Sequence, residues 1–373
     1  MNILKSTAAK VGIGFAAGAI LVGGISNAAP TISPNTKVCV SSTNQLYLAK
    51  NGACTGSQKL VSIGGSSIDV NAIAAIAGPS VTSIQVKVAS GSGSGSGWVY
   101  QSNPLSTYIV TNNHVVENYA LSSTGSLIVE LNNGDQYPAT IVGRDVNYDL
   151  AVIRIQKGNL PELALGNSTK LQVGDPVVAI GSPLGLSSTV TSGIISALNR
   201  PVITGYTGAE SYVNAIQTDA AINPGNSGGA LLDGNGRIIG INSAIATLSS
   251  NGGASGSIGL GFSIPITEAK RVIDELISTG KSTRPVLGVF FDTTYSGVGA
   301  KIGRLSSGEG AEKAGIPTGS IIKSIDGTRI TDQIAAIVKI RSYAPGSTVS
   351  VSVELPTGGT KTFNVKLGSA ASN

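Results

Sequence analysis

The apolar positions between about residue 68 and residue 266 recur in short runs separated by turn signals. Residues 84–88 (IQVKV) alternate apolar and polar side chains, the two-residue period of a half-buried strand. Leu127–Leu131 and Gln136–Val142 flank the turn signal Asn132–Asp135 and predict a β-hairpin. Strands that recur this often over roughly 200 residues indicate closed or sandwiched antiparallel barrels.

Three further segments extend this pattern. The apolar pairs on both sides of Asp233–Gly236 predict a second hairpin. Ser92–Gly97 (SGSGSG) would be a linker in isolation, but its place before a strand favours a mobile β-turn within the domain. Thr267–Gly280 predicts a helix that closes the β-rich part, with Thr267 as candidate N-cap and Gly280 as C-terminal stop.

The first 29 residues have the pattern of an export signal. Lys5 and Lys10 precede the apolar run Val11–Ile25, and small residues lead to a cut site near Ala29. A membrane anchor that is not cleaved is the alternative, although the run is shorter than the about 20 residues of a spanning helix. In both cases we expect the remaining chain to be secreted or to lie on the extracytoplasmic face of the membrane.

The only two cysteines, Cys39 and Cys54, lie in a small segment, residues 30–66, directly after the export pattern. In an oxidising compartment such an isolated pair is expected to form a disulfide, and two free thiols are the alternative.

Composition narrows the function classes. Hydrophobic residues make up 41% of the chain and charged residues 12%, which predicts globular domains. The net charge of +5 is not concentrated in a Lys/Arg block, so nucleic acid is not an expected partner. One histidine and scattered carboxylates cannot build the usual metal sites, and no phosphate-binding glycine motif is present, so we expect no metal and no cofactor.

Three residues together suggest nucleophilic catalysis. His114, the single histidine, follows the apolar run Tyr108–Val110 and is expected at a strand end. Ser227 lies in the glycine-rich turn NPGNSGGAL, where a reactive hydroxyl and backbone N–H groups can face a substrate. Asp149 heads the buried run LAVIRI and can fix the imidazole tautomer. Asp145 is the alternative acid, but we expect it in a solvated loop, paired with Arg144.

The chain order His, Asp, Ser is that of chymotrypsin-like barrels. The segments SGSGSGWV, TNNHVV, DLAVIRI, VAIGSPLGLSSTVTSGIISAL, QTDAAINPGNSGGALLD and GLGFSIP resemble, in this order, the bacterial HtrA (Deg) family of trypsin-like serine proteases. The resemblance implies a chymotrypsin-like double β-barrel, mainly β, with an oxyanion hole at Gly225 and Ser227. It also implies loops that rearrange on activation, at Leu184–Val190 and Thr247–Ser257. Asn226 stands where digestive proteases have an Asp, so activation should not require a new N-terminus.

The same resemblance places a specificity pocket at Ile222, Gly259, Leu260 and Gly261. Since no Asp stands at its base in the matching positions, we expect a preference for small aliphatic residues.

The C-terminal part mixes strand patterns with two short helical stretches and resembles a small α+β PDZ domain. RPVLGVFF matches the loop that binds a peptide carboxylate, with Leu287, Gly288 and Val289 as donors of backbone N–H groups. The predicted domains are a signal peptide or anchor (1–29), a Cys-containing segment (30–66), a protease domain (67–280), a linker (281–284), a PDZ domain (285–368) and a tail (369–373).

The expected function is therefore that of a serine endopeptidase for unfolded or misfolded extracytoplasmic proteins, whose PDZ domain binds C-terminal peptides. The alternative is a chaperone-like or surface peptide-binding protein with a silent protease domain. Family members are commonly trimers, which makes a homo-oligomer a further expectation, although the aromatic contacts near the N-terminus that often build trimers are not evident in this sequence.

Overall fold

The computed structural model describes residues 36–41, 46–48, 53–56, 58–63, 68–182, 188–206, 209–243 and 257–372. The chain divides into two compact units, Met1–Ile68 and Asp69–Asn373. The predicted signal peptide or anchor, residues 1–29, lies outside the described residues. In the described ranges, no helix has the length and apolar character needed to cross a membrane.

The first unit contains a three-stranded antiparallel sheet in the order β2-β1-β3. Its strands are β1 (Thr36–Val40), β2 (Leu46–Leu48) and β3 (Lys59–Ile63). A disulfide joins Cys39 to Cys54, which confirms the predicted pairing. The sequence separation is 15 residues, and in the chain-entropy model a loop of this size contributes about 3 kcal/mol to stability.

The second unit begins with helix α1 (Val70–Ala77), which leads into a closed six-stranded barrel in the order β4-β5-β6-β9-β8-β7. The strands are β4 (Val81–Val88), β5 (Gly91–Ser102), β6 (Thr107–Thr111), β7 (Gly125–Glu130), β8 (Gln136–Asp145) and β9 (Leu150–Ile155), and helix α2 (Asn113–Ala120) connects β6 to β7. Apolar side chains that alternate along the strands fill the barrel, as the two-residue period predicts.

The prediction of a mobile turn at Ser92–Gly97 is wrong, because the whole segment belongs to β5 and pairs with β4 residue by residue. Its glycines permit close packing. A Cβ atom on Gly97 would lie 2.6 Å from the Ile109 Cγ2 atom, and one on Gly95 would lie 2.6 Å from the Val115 Cγ2 atom. The low complexity of the segment therefore reflects a crowded barrel wall and not a flexible turn.

A second closed barrel follows, in the order β10-β11-β12-β15-β14-β13. Its strands are β10 (Pro176–Gly181), β11 (Thr189–Tyr206), β12 (Ala209–Thr218), β13 (Ala230–Leu232), β14 (Ile238–Ser243) and β15 (Gly261–Pro265). The hairpins predicted around Asn132–Asp135 and Asp233–Gly236 connect β7 to β8 and β13 to β14. The two barrels confirm the predicted chymotrypsin-like fold class.

Helix α3 (Ile266–Thr279) follows the second barrel, and Gly280 ends it in the left-handed conformation with φ +75°, as predicted. The predicted N-cap is wrong. Pro265 precedes the first turn, and the Thr267 hydroxyl instead bonds the Ser168 hydroxyl at 2.8 Å. The helix packs its buried apolar face against β8 and β9 of the first barrel and also contacts β14 and β15 of the second.

The C-terminal part has its own apolar core under a sheet in the order β17-β18-β19-β21-β22, with β20 paired to β19. The elements are β17 (Val289–Phe291), β18 (Ala300–Leu305), helix α4 (Gly310–Lys313), β19 (Ile321–Ile325), β20 (Thr328–Arg329), helix α5 (Gln333–Arg341), β21 (Thr348–Glu354) and β22 (Thr360–Lys366).

The predicted linker and tail are strands. Residues Ser282–Val286 form β16 and residues Gly368–Ser372 form β23, which pair antiparallel with Ser282 opposite Ser372. Residues 368–372 therefore pair with the segment that follows α3 and do not form a free tail.

Asp145 binds one serine of β16 and one serine of β23. The expectation of a solvated Asp145–Arg144 pair is therefore wrong. The Asp145 side chain is fully buried, and it accepts hydrogen bonds from the Ser282 hydroxyl at 2.5 Å and from the Ser372 hydroxyl at 2.8 Å. Arg144 instead lies 3.8 Å from the Glu117 carboxylate. Burial raises the pKa of the Asp145 carboxyl, and the two hydroxyls oppose that shift.

Asp145→Asn tests this arrangement. A carboxyl whose pKa is raised in the folded chain stabilises the fold below its ordinary pKa, and that contribution is lost as the pH rises through the folded pKa. The uncharged variant should therefore gain stability relative to the unsubstituted chain as the pH is raised from about 4 to about 8. Urea unfolding at several pH values measures the difference, and a difference that is independent of pH contradicts the assignment.

Candidate active site

His114 lies in the first turn of α2 and not at a strand end as predicted. Asn112 has extended backbone angles and precedes the helix, so the chain turns from β6 into the helix directly before the histidine. Val115 and Val116 of the same helix are buried in the first barrel and fix its orientation. The imidazole is therefore carried by a short helix that is anchored on the barrel wall.

Asp149 holds this histidine at two points. One carboxylate oxygen accepts the His114 backbone N–H at 3.0 Å, and the two oxygens lie 3.0 and 2.9 Å from the imidazole Nδ1 atom. The Asp149 side chain is only 3% exposed, and the His114 side chain is 16% exposed. Because a buried carboxylate faces Nδ1, this nitrogen carries the proton and Nε2 is left as the basic atom.

The backbone of Asp149 has a positive φ of 52°, directly before β9. Such a conformation costs a non-glycine residue about 1–3 kcal/mol and persists only where its surroundings impose it. Here the Asn112 amide donates to the Asp149 carbonyl at 2.9 Å, and the Asp149 N–H donates to the Val146 carbonyl at 3.3 Å. The sequence indicated Asp149, but not the role of Asn112.

The loop before Asp149 is also held by the C-terminal part of the chain. The Arg341 guanidinium of α5 donates to the Asn147 carbonyl at 2.8 Å and to its side-chain oxygen at 3.1 Å. The buried Tyr148 hydroxyl donates to the Arg341 carbonyl at 3.1 Å. Helix α5 and the acidic residue beside His114 are therefore connected through one short loop.

Ser227 lies in the turn before β13, in the second barrel, and is 5% exposed. Gly225 has a φ of +96° and Gly228 a φ of +84°, both in the left-handed region that favours glycine. A Cβ atom on Gly228 would lie 2.1 Å from the Ser96 carbonyl oxygen, so no other residue fits there. Asn226, between Gly225 and Ser227, is buried and its amide donates to the Ala221 carbonyl at 3.4 Å.

Of the residues predicted for the specificity pocket, Ile222 and Gly261 lie in contact. Ile222 is fully buried, and the Gly261 backbone packs directly on it, since a Cβ atom there would lie 2.6 Å from the Ile222 Cγ1 atom. Gly259 has a φ of +82° and Leu260 is 42% exposed. Most of the two predicted activation loops, residues 184–187 and 247–256, lies outside the described residues.

The predicted carboxylate loop of the C-terminal part borders a groove of about 690 Å³ between β17 and α5. Leu287 is buried and its carbonyl accepts the Ala311 N–H at 2.9 Å. Gly288 has a φ of +83°, and its carbonyl accepts the Ser306 N–H at 2.9 Å. Val289 begins β17, the first strand of the sheet order, so one edge of β17 faces the groove.

Comparison with known proteins agrees with this architecture. Residues 95–241 match the family model described as a trypsin-like peptidase domain. Serine protease PepD of Mycobacterium tuberculosis is 44% identical over 310 residues, which cover 81% of this chain and 66% of PepD. The periplasmic serine endoprotease DegP of Escherichia coli is 39% identical over 277 residues, which cover 71% of this chain and 55% of DegP. The match thus spans less than two thirds of these relatives.

Solved structures match over a larger share of their own length. The HtrA-type protease AlgW, solved with a tripeptide, is 33% identical with a TM-score of 0.61, and the match covers 81% of this chain and 97% of AlgW. A serine endoprotease from Yersinia pestis is 32% identical with a TM-score of 0.55, and the match covers 82% and 99% of the two chains.

Two closed barrels and a trypsin-like peptidase match over residues 95–241 define the class of chymotrypsin-like proteases. Within that class, the chain belongs to the HtrA family of serine proteases, as the similarity to AlgW over nearly its whole length shows.

Gly228→Ala tests the packing of the turn that carries Ser227. The added Cβ atom collides with the Ser96 carbonyl, and the alanine must adopt the left-handed backbone conformation of Gly228. We therefore expect a loss of about 3 kcal/mol or more in the free energy of unfolding. Gly236→Ala is the matched control, because its φ is +72° and no atom lies within 4 Å of the added Cβ. It should cost only about 1–2 kcal/mol in urea unfolding. Equal losses would contradict the packing argument.

Proposed function

We propose that this chain is a serine endopeptidase that cleaves unfolded or misfolded proteins outside the cytoplasm. In this proposal Ser227 is the nucleophile, His114 is the general base, and Asp149 is the carboxylate that orients His114. The observation that carries the proposal is the Asp149 carboxylate, which contacts both the ring and the backbone N–H of the one histidine in the chain. The export pattern at residues 1–29 and relatives named as periplasmic proteases support the extracytoplasmic location.

The chemistry follows from these positions. His114 Nε2 takes the proton of the Ser227 hydroxyl while Oγ forms a bond to the scissile carbonyl carbon, and Asp149 stabilises the resulting imidazolium. The backbone N–H groups of Gly225 and Ser227 donate hydrogen bonds to the carbonyl oxygen, on which negative charge develops. His114 then gives its proton to the leaving amine. In the second half of the reaction His114 takes a proton from a water molecule while the water oxygen bonds to the acyl carbon, and it returns that proton to Ser227 Oγ as the bond between Oγ and the acyl carbon breaks.

The alternative, a peptide-binding protein with a silent protease domain, has less support. A binding scaffold has no need for an Asp149 with a strained backbone whose carboxylate bonds the His114 imidazole.

Ser227→Ala separates the two functions. Removal of the nucleophile should lower casein hydrolysis by roughly 10⁴-fold or more while the unfolding temperature stays close to that of the unsubstituted chain. Ser83→Ala is the control, since Ser83 is a buried serine of β4 in the other barrel. Casein hydrolysis that persists in the Ser227 variant, with the control unchanged, would refute the mechanism.

We infer that the C-terminal part is a PDZ domain that binds the free C-terminus of a peptide. A peptide can add to the edge of β17 and place its apolar side chains in the groove, which Ile334 and Ile337 of α5 also line. The Leu287 and Gly288 carbonyls are both engaged elsewhere, which supports a loop that presents its N–H groups to a carboxylate.

The groove also offers a route by which a bound peptide could regulate cleavage. Arg341 lines the groove and donates to Asn147, two residues before Asp149. A peptide that changes the Arg341 position would therefore act on the loop that carries the acid of the triad. Such coupling is commonly worth about 1–3 kcal/mol, which is a several-fold to hundred-fold effect.

Peptide binding is tested with one labelled peptide in two forms, one with a free apolar C-terminal carboxylate and one amidated. The free acid should bind at least about tenfold more tightly in fluorescence anisotropy, because only the carboxylate accepts several N–H bonds at once. Equal affinity of the acid and the amide would contradict a carboxylate-binding loop.

A further inference from the structure

Ser96 connects the two barrels at the turn that carries Ser227. It lies in β5 of the first barrel and is fully buried. Its backbone N–H donates to the Ser227 carbonyl at 2.8 Å, and its hydroxyl donates to the Gly225 carbonyl at 2.6 Å. One buried serine thus binds the turn on both sides of Asn226.

The hydroxyl of Ser96 has a defined direction. It accepts the Ser182 backbone N–H at 2.7 Å, so its single proton is available for the Gly225 carbonyl. The Ser96 carbonyl in turn accepts the Thr111 hydroxyl at 2.7 Å, in the strand that leads to His114. Ser96 is therefore itself held in place by both barrels.

The peptide group between Gly225 and Asn226 is fixed at both ends. Its carbonyl accepts the Ser96 hydroxyl, and its N–H, which belongs to Asn226, donates to the Asn223 carbonyl at 2.9 Å. A peptide plane that is bonded at its oxygen and at its nitrogen cannot rotate without loss of both bonds.

The peptide group between Ser227 and Gly228 is fixed in the same way. Its carbonyl accepts the Ser96 backbone N–H, and its N–H, which belongs to Gly228, donates to the Asn242 carbonyl at 2.9 Å. Ser96 therefore supplies the donor for the carbonyl of two separate peptide planes in one turn.

The Ser227 N–H belongs to the peptide plane between Asn226 and Ser227, which lies between these two fixed planes. The Gly225 N–H belongs to the plane directly before the fixed Gly225–Asn226 plane. The Ser227 and Gly225 N–H groups are the donors of the proposed oxyanion hole. Their direction is thus limited by neighbours that Ser96 holds. Since a charge-stabilising donor works only when it points at the developing oxyanion, the hydroxyl of Ser96 bears on the reaction without contact to the substrate.

We propose that Ser96 is a positioning residue for hydrolysis, whose hydroxyl holds the Gly225–Ser227 turn in the conformation that stabilises the tetrahedral intermediate. This inference rests on the proposed function and adds to it a residue that the triad does not include.

The test compares Ser96→Ala with Ser83→Ala, in the full chain, on a short chromogenic peptide substrate. Ser83 is a good match, because it lies opposite Ser96 on β4, is equally buried, and its hydroxyl has no hydrogen-bond partner in the part of the chain that the structure describes. We expect Ser96→Ala to lower kcat about 10- to 100-fold with KM changed less than about threefold, since loss of one oxyanion donor itself costs about 10²–10³-fold. Ser83→Ala should leave both constants near those of the unsubstituted chain.

The affinity for a peptide boronate distinguishes a positioning role in the reaction from a purely structural role. Boronates form a tetrahedral adduct with a serine nucleophile, so their affinity should fall with kcat in Ser96→Ala. The affinity for the cleaved peptide product, which has no tetrahedral centre, should stay within about threefold. Equal losses for boronate and product, or kcat unchanged in a folded Ser96→Ala variant, would overturn the proposal.

Two further outcomes are informative. If Ser96→Ala does not fold, Thr111→Val removes the hydroxyl that holds the Ser96 carbonyl and keeps the side-chain shape, and it should show a smaller fall in kcat with the same boronate pattern. An unchanged kcat in that variant would contradict the inference. Failure of the unsubstituted chain to hydrolyse any substrate would instead overturn the proposed function.

Discussion

The groups of the proposed triad come from two separate barrels, so the proposed chemistry depends on the hydrogen bonds that join the barrels. His114 and Asp149 belong to the first barrel and Ser227 to the second. A displacement of about 1 Å between reacting groups can cost about 10²-fold in rate. The bonds from Ser96 to the carbonyls of Gly225 and Ser227 lie directly at this junction, and the crowded glycines of β5 allow the turn to approach so closely.

The loop Asp145–Asp149 carries two buried carboxylates, four residues apart, and it connects His114 to strands β16 and β23. Asp149 turns toward the imidazole, while Asp145 accepts hydroxyls from Ser282 and Ser372, in the strands that begin and end the C-terminal part. Arg341 donates to the carbonyl of Asn147, which lies between them. The proposed peptide groove and the proposed triad are thus connected through Arg341, which lines the groove and donates to Asn147. Ser372 of β23 contributes to the surroundings of the same loop.

The sequence predicted what is periodic or local. Alternating residues predicted the barrel strands, turn signals predicted two hairpins, and Gly280 marked the end of α3. It could not predict contacts between distant, isolated polar residues. Ser96 and Gly225 are 129 residues apart, and Asp145 and Ser372 are 227 apart. An aspartate beside an arginine suggests a surface ion pair, and only the fold shows that Asp145 is buried. The glycines of β5 misled for the same reason, since their neighbours come from β6 and α2.

The most direct test of this account is labelling with a fluorophosphonate probe, which reacts only with a serine that an active-site base and an oxyanion hole activate together. The folded, full chain should take up close to one probe per molecule, and peptide mapping should place it on Ser227. Labelling should be slowed strongly by Asp149→Asn and little affected by Asp145→Asn, because only the first substitution removes the carboxylate that fixes the imidazole tautomer. A folded chain that takes up no probe, or that takes it up at another serine, would contradict the account.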